Sequence, residues 1–160
     1  MIYSFFESLK YSGHLLPISF LRFFIGAYYL QHFLEKYNGD FLNRPTLAAQ
    51  IAESIPGLQI PGWYKLFLET LFIPHWQIFA FTILGIELCI AISYLLGYVV
   101  RPIAIVAAIL SLNLMILLGP ATEDLNRIFV VIHLTLAWLG AGRCLGLDYY
   151  FYKRQRGLWW

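Results

Sequence analysis

Charge is scarce in this sequence. Asp, Glu, Lys and Arg make up only 12% of its 160 residues, 60% are hydrophobic, and the mean hydropathy is +0.68. A water-soluble domain of this length could not hide so much apolar surface, so the composition excludes one and points to a membrane-embedded chain. An excess of either sign is missing too: the net charge is only +2, and the basic tail Lys153, Arg154, Arg156 is short. Nucleic acid is therefore excluded as a partner, and the tail reads as a cytoplasmic topology anchor. Cysteine is nearly absent. Cys89 and Cys144 fall in different apolar segments and form no CxxC pair, which leaves no basis for a disulfide framework or a thiol relay. His32 and His75 have no metal-ligand spacing to a cysteine or carboxylate cluster, and no zinc, haem or iron–sulfur motif occurs. No cleavage site follows the first apolar run, which Glu7 and Lys10 precede, so the first helix is expected to serve as its own insertion signal.

What is abundant is apolar and aromatic. Four apolar segments, at about 15–34, 76–98, 102–118 and 127–142, come close to the ~20 residues needed to cross the hydrocarbon of a bilayer. They predict an all-α fold: residues 1–160 form a single integral membrane domain, a membrane-embedded four-helix bundle. Pro17 and Pro102 suit the first turns of their helices, and Gly97 to Arg101 allows only a tight hairpin. Between the first two segments, residues 46–55, capped by Thr46 or Asn43, and residues 63–72, with Lys65 and Glu69 at i, i+4, read as short interfacial helices. Either they simply pack over the bundle or they cover a substrate. Trp63, Tyr64, Trp76, Tyr98, Tyr149, Tyr150, Tyr152, Trp159 and Trp160 sit near segment ends, as in an aromatic belt. Lys10, Arg101, Arg143, Lys153, Arg154 and Arg156 collect on one side if both termini are cytoplasmic, and that orientation is expected.

Ionisable groups at membrane depth are the candidate functional residues, because burying them is costly. Arg22, Glu87, Asn113 and His133 fall near mid-depth. They predict a buried Arg22/Glu87 pair whose hydrogen bonds Asn113 and His133 complete. Two readings stay open. In one, the cluster binds the head of a quinone, with Glu87 or His133 moving the proton; in the other, it is a polar lock fixing helix register. Gln31 and His32, near the outer end of the first segment and close to Trp63, Tyr64 and His75, would suit an aromatic outer-leaflet pocket for a quinone. Gly26, Gly85, Ala91 and Gly97 permit close helix approach. Asp148 and Arg143 flank the end of the fourth segment and read as a cap with a salt bridge.

The order and spacing of several pieces are familiar: Arg22 with Gly26, PGWYKLFLETLFIPH at 61–75, GIE at 85–87, LLGYVVRP at 95–102, LNL around Asn113, Asn126, and GAGRCLGLD at 140–148. Together they resemble the DoxX/DoxD family of small four-helix membrane proteins over most of the chain. The resemblance implies a prokaryotic inner (cell) membrane protein. It also implies a subunit of a thiosulfate:quinone oxidoreductase, or a bacterial DoxX relative tied to thiol and oxidative-stress defence. The family-like polar residues are then Arg22, Glu87, Arg101, Asn113, Asn126, Arg143 and Asp148, and Lys36 matches a lysine that closes the first helix. Unlike a complete enzyme, the chain carries no redox centre of its own. The partners that follow are the lipid bilayer and a partner redox subunit or soluble oxidoreductase, with a homodimer left open. A non-enzymatic scaffold docking soluble redox enzymes is the main alternative, and a small-solute transporter the weaker one.

Overall fold

The structure, a computed structural model, describes residue 11, residues 13–118, residues 120–154 and residue 157. Glu7, Lys10, Arg156, Trp159 and Trp160, which the sequence reading used, lie outside those residues. Among the described residues the fold is all-α, with seven helices and no strand. Four are long: α1 (Leu16–Asn38), α4 (Trp76–Leu96), α5 (Val100–Leu117) and α6 (Pro120–Leu139). Three are short: α2 (Thr46–Ser54), α3 (Gly62–Phe67, continued by a π-helical turn over Leu68–Phe72) and α7 (Asp148–Arg154). Two helices, α4 and α5, are by length and composition apolar enough to cross a membrane, with mean hydropathies of 2.2 and 2.1.

The boundaries follow local chemistry, and some differ from expectation. Pro17 does lie in the first turn of α1, but the helix runs on to Asn38, past the expected end at 34, and so carries Lys36. Pro102 likewise sits in the first turn of α5. The last long helix starts at Pro120 instead of near 127. Proline suits a first turn, and Glu123 and Asp124 place negative charge at the positive end of the helix dipole, where both also pair with Arg127. Helix α2 begins after Pro45, and neither Thr46 nor Asn43 caps it through its side chain. The Lys65–Glu69 pair forms as expected, at 3.9 Å. The expected hairpin is three residues long, with Gly97 and Val99 both in the left-handed region at φ 63° and 54°.

The long helices pack as two tight pairs, α1 with α4 and α5 with α6, around one core. Ile25 and Tyr29 from α1 meet Ile90, Ala91 and Tyr94 from α4, Ala104 and Ala107 from α5, and Phe129 and Leu136 from α6. Small side chains set the approach. A Cβ on Gly26 would lie 3.0 Å from Tyr94 Cβ, and Ala104, Ala107, Ala108 and Ser111 give α5 a small-residue face. Gly85, expected to join them, has open space where its Cβ would be. A second core, of Ile51, Ile55, Leu68, Phe72 and Leu117, fastens α2 and α3 over one end of the bundle.

Candidate functional site

His133 occupies the middle of the bundle, on α6, with no exposed surface. Two tyrosine hydroxyls hold its ring: Tyr29 from α1 at 2.9 Å from Nε2, and Tyr94 from α4 at 2.8 Å from Nδ1. A neutral imidazole has one N–H and one lone pair, so one hydroxyl donates to the ring while the other accepts from it. The buried Ser111 of α5 lies near the Tyr29 hydroxyl, so all four long helices bring a polar side chain to this point. A tautomer shift in His133 would move a proton from one hydroxyl's side to the other's. Aromatic contacts extend outward from this point: Phe129 stacks on His133, Tyr28 lies 5.0 Å from Phe129, and His32 meets Tyr28 edge-on at 4.2 Å. His133 and His32, assigned to separate places on sequence grounds, are thus the ends of one aromatic ladder.

The expected Arg22/Glu87 pair does not form. Glu87, 4% exposed on α4, takes Lys36 as its partner through Oε1, and its Oε2 is buried without a hydrogen-bond partner. The reason is geometric. Helix α1 runs one turn further than expected and brings a long ammonium stem back to the carboxylate, while Arg22 lies 14 residues earlier, or ~21 Å along the same helix. Arg22 is fully buried and turns toward the opposite end, where Nη2 donates to the Leu145 carbonyl at 2.8 Å. Its Nε and Nη1 have no hydrogen-bond partner. Tyr29, Tyr94 and Ser111 are the site residues that sequence reasoning missed. A signal existed: Tyr29 follows Arg22, and Tyr94 follows Glu87, by seven residues, which keeps each pair on one helix face.

Asn113 belongs to neither group. It faces a partly open cavity of about 280 Å³ lined by α2, α3, α4 and α5. The walls are aliphatic and aromatic, with Ile83, Ile86, Val106 and Leu110 on the bundle side and Tyr64, Phe67, Phe72 and Phe79 towards α3. In this apolar space the Tyr64 hydroxyl donates to Asn113 Oδ1 at 2.9 Å, and Asn113 Nδ2 donates to the Ile109 carbonyl. Tyr64, at the interface, has its phenol held above the ordinary range by burial. Gln31 and His32, expected beside Trp63, Tyr64 and His75, are not in this cavity. Gln31 lines a shallow groove between α1 and α4 and donates to Glu35, and His32 lies 3.4 Å from the same carboxylate. None of Glu87, His133 or Arg22 lines the cavity either.

The loop after α6 is built around Asp148. Its carboxylate accepts from the backbone N–H groups of Val99 and Val100, at 2.6 and 3.1 Å, so it caps α5 and not the end of α6 as expected. Burial raises its pKa, which those two N–H groups and the charges of Arg22 and Arg143 oppose. Arg143 stacks on Tyr152 at 4.1 Å, and burial followed by the like charge of Arg101 lowers its pKa. Both cysteines are free thiols.

Residues 18–158 match the family described as TQO small subunit DoxD. No curated protein and no solved structure matches the chain. The matched stretch runs from α1 through α7 and takes in every polar contact described above. With its two strongly apolar helices and a match that covers nearly its whole length, the chain is a membrane protein and belongs to the DoxD family.

Proposed function

We propose that the protein is a quinone-interacting membrane subunit of a thiosulfate:quinone oxidoreductase-like system, with a partner subunit supplying the sulfur chemistry. All four long helices cross the prokaryotic cell membrane, and both termini are cytoplasmic. The four-helix reading draws support from the outer surface. Phe20 and Phe24 on α1, Ile78 and Phe81 on α4, Ile105 and Ile109 on α5, and Val131 and Trp138 on α6 all point outward, while Arg22, Glu87, Ser111 and His133 are inside. The orientation draws support from charge. One end carries Arg101, Arg143, Lys153 and Arg154, whereas Arg44, Lys65 and Arg127 at the other sit beside Asp40, Glu69 and Glu123.

The observation that carries the quinone reading is the apolar cavity with one polar pair in its wall. A quinone head is a flat ring with two carbonyl acceptors; the Tyr64 hydroxyl fixes the Asn113 amide, whose second N–H, beyond the one given to Ile109, is a donor of the matching kind set among aromatic and aliphatic walls. When bound, a quinone takes up two electrons and two protons. Behind the cavity wall, Glu87 and His133 are the proton-holding groups: Ile83 and Ile86 of α4 line the cavity, and Glu87 on the same helix turns inward to Lys36. The Tyr29–His133–Tyr94 chain offers a route through the bundle that needs no water.

Titration of a short-chain quinone into the protein in nanodiscs tests this reading. Wild type should bind saturably, Ile83→Trp should fill the cavity and abolish binding, and Asn113→Leu should weaken it about tenfold through the lost polar contact. Helical circular dichroism would confirm that each variant is folded. Absence of saturable binding by folded wild type would overturn the reading in favour of the scaffold.

A further inference from the structure

A second and larger pocket, of about 770 Å³, opens at the opposite end of the bundle, where α5 begins and α6 ends. Arg101, Arg143 and Lys153 supply three cations to its lining, His14 stands beside them, and Tyr152 and Trp138 contribute aromatic wall. The guanidinium of Arg101 lies against the turn that ends α6. Gly140 adopts φ 63°, and a Cβ there would come within 3.0 Å of Arg101 Nε and Nη2. Arg143 is fixed by stacking on Tyr152 at 4.1 Å and stands close enough to Arg101 for like-charge repulsion to act on it. The nearby carboxylate of Asp148 is committed to the Val99 and Val100 N–H groups. Two guanidiniums, that of Arg143 stacked on Tyr152, and an ammonium around one pocket suit a tetrahedral oxyanion such as a phosphate.

The adjoining surface selects the carrier of that phosphate. From the pocket's Trp138 and Leu139 an apolar groove of about 430 Å³ continues along the outer face of α6, past Thr135, Leu134 and Val131. These residues cover ~12 Å of helix rise, the length of several acyl methylenes. Trp138 is 85% exposed where pocket and groove meet. An indole at that position suits the headgroup boundary. A free anion has no use for the groove, and a lipid needs both parts.

We propose that the Arg101/Arg143/Lys153 pocket and the α6 groove together form a binding site for one anionic phospholipid, with its phosphate among the cations and an acyl chain along Val131–Leu139. The site rests on α6 crossing the bilayer and is independent of quinone binding at the other end. Lipid held there would lock the start of α5 to the end of α6, the two ends that Asp148 and Arg101 already join.

Native mass spectrometry on protein released from nanodiscs reads the retained lipid, and melting temperature reads its effect. Wild type should retain phosphatidylglycerol in preference to phosphatidylcholine and melt higher when phosphatidylglycerol is present. Lys153→Gln with Arg143→Gln should weaken that preference roughly tenfold, each charge contributing several-fold. Lys153→Gln alone, at an exposed position, covers the case of a double variant that does not fold and should still lower the preference several-fold. Thr135→Trp should block the groove and reduce lipid retention. Inorganic phosphate and glycerophosphoglycerol, which lack acyl chains, separate the two sources of the anion. If they stabilise the protein as well as the lipid does, the site is for a free anion and the proposal falls. Equal retention of both phospholipids by wild type would overturn it as well.

Discussion

A histidine between two tyrosines is an economical way to keep polar atoms inside a bundle, because every one of them has a partner. Neutral His133 uses its one donor and its one acceptor, and the Tyr29 hydroxyl has capacity left for Ser111. Removing the ring strands two hydroxyls at once. His133→Leu should therefore destabilise the protein by about 2–4 kcal/mol, the combined cost of two unsatisfied buried groups. Adding Tyr29→Phe and Tyr94→Phe should recover much of that loss, since no polar atom is then left unpaired except on Ser111. Denaturant unfolding in detergent, followed by circular dichroism, measures both. A triple variant as unstable as His133→Leu would show that the hydroxyls are not what the histidine satisfies. At this scale the sequence marked Arg22, Glu87 and His133 as buried but not their partners. Depth along a helix is legible from residue counting, and so His133 and Glu87 were placed inside the bundle. The direction of a long side chain is not legible, and so Glu87 was given Arg22, which turns toward Leu145, when its partner is Lys36. Tyr29 and Tyr94 escaped notice because tyrosine in a membrane sequence suggests the interface, whereas both are buried.

Helices meet here on glycine at one point and only pass through it at another. Gly97 closes α4 with φ 63°, and a Cβ on it would reach 1.8 Å from Arg22 Nη1 and 2.6 Å from Gly146 Cα. Gly97→Ala therefore combines a left-handed backbone, worth ~1–2 kcal/mol against alanine, with a clash against backbone that cannot move aside. We expect a total above about 3 kcal/mol and a large fall in the yield of folded protein. Gly85→Ala, in the middle of the same helix with open space around it, should be neutral or stabilising by up to ~1 kcal/mol. Parallel thermal melts of the two variants decide the matter, and a similar loss in both would contradict the packing. The three-residue turn was legible because a glycine and a proline bracket it. The early start of α6 was not, because Glu123 and Asp124 dilute the apolar run there, although acids belong in a first turn. The cavity was partly legible: the short helices were expected to lie over the bundle, as packing or as a cover, but the Tyr64–Asn113 contact spans 49 residues and leaves no local trace.

For the molecule as a whole, the proposed arrangement places residues 13 and 153 on one side of the membrane and residue 44 on the other. In a background with Cys89 and Cys144 replaced by alanine, an impermeant maleimide applied from outside should label Arg44→Cys and spare Gly13→Cys and Lys153→Cys until the membrane is opened. Labelling of all three from outside would put them on one side and so rule out an odd number of crossings between residue 44 and either of the other two. Membrane character was the easiest property to read, because a low charge content constrains every folded arrangement alike. The number of crossings was harder. Helices α1 and α6 dilute their hydropathy with charged and polar groups, so length and composition mark only α4 and α5 as apolar enough to cross.

The cap on α5 also has a consequence in time. The N–H groups of Val99 and Val100 leave the ribosome some fifty residues before Asp148, the carboxylate that will satisfy them. Until that residue is made, the turn between α4 and α5 holds an unfinished helix start, and Arg22 lacks the Leu145 carbonyl it bonds. Contacts begun at Arg22 and at the start of α5 are thus completed only once residues 145–148 have been made.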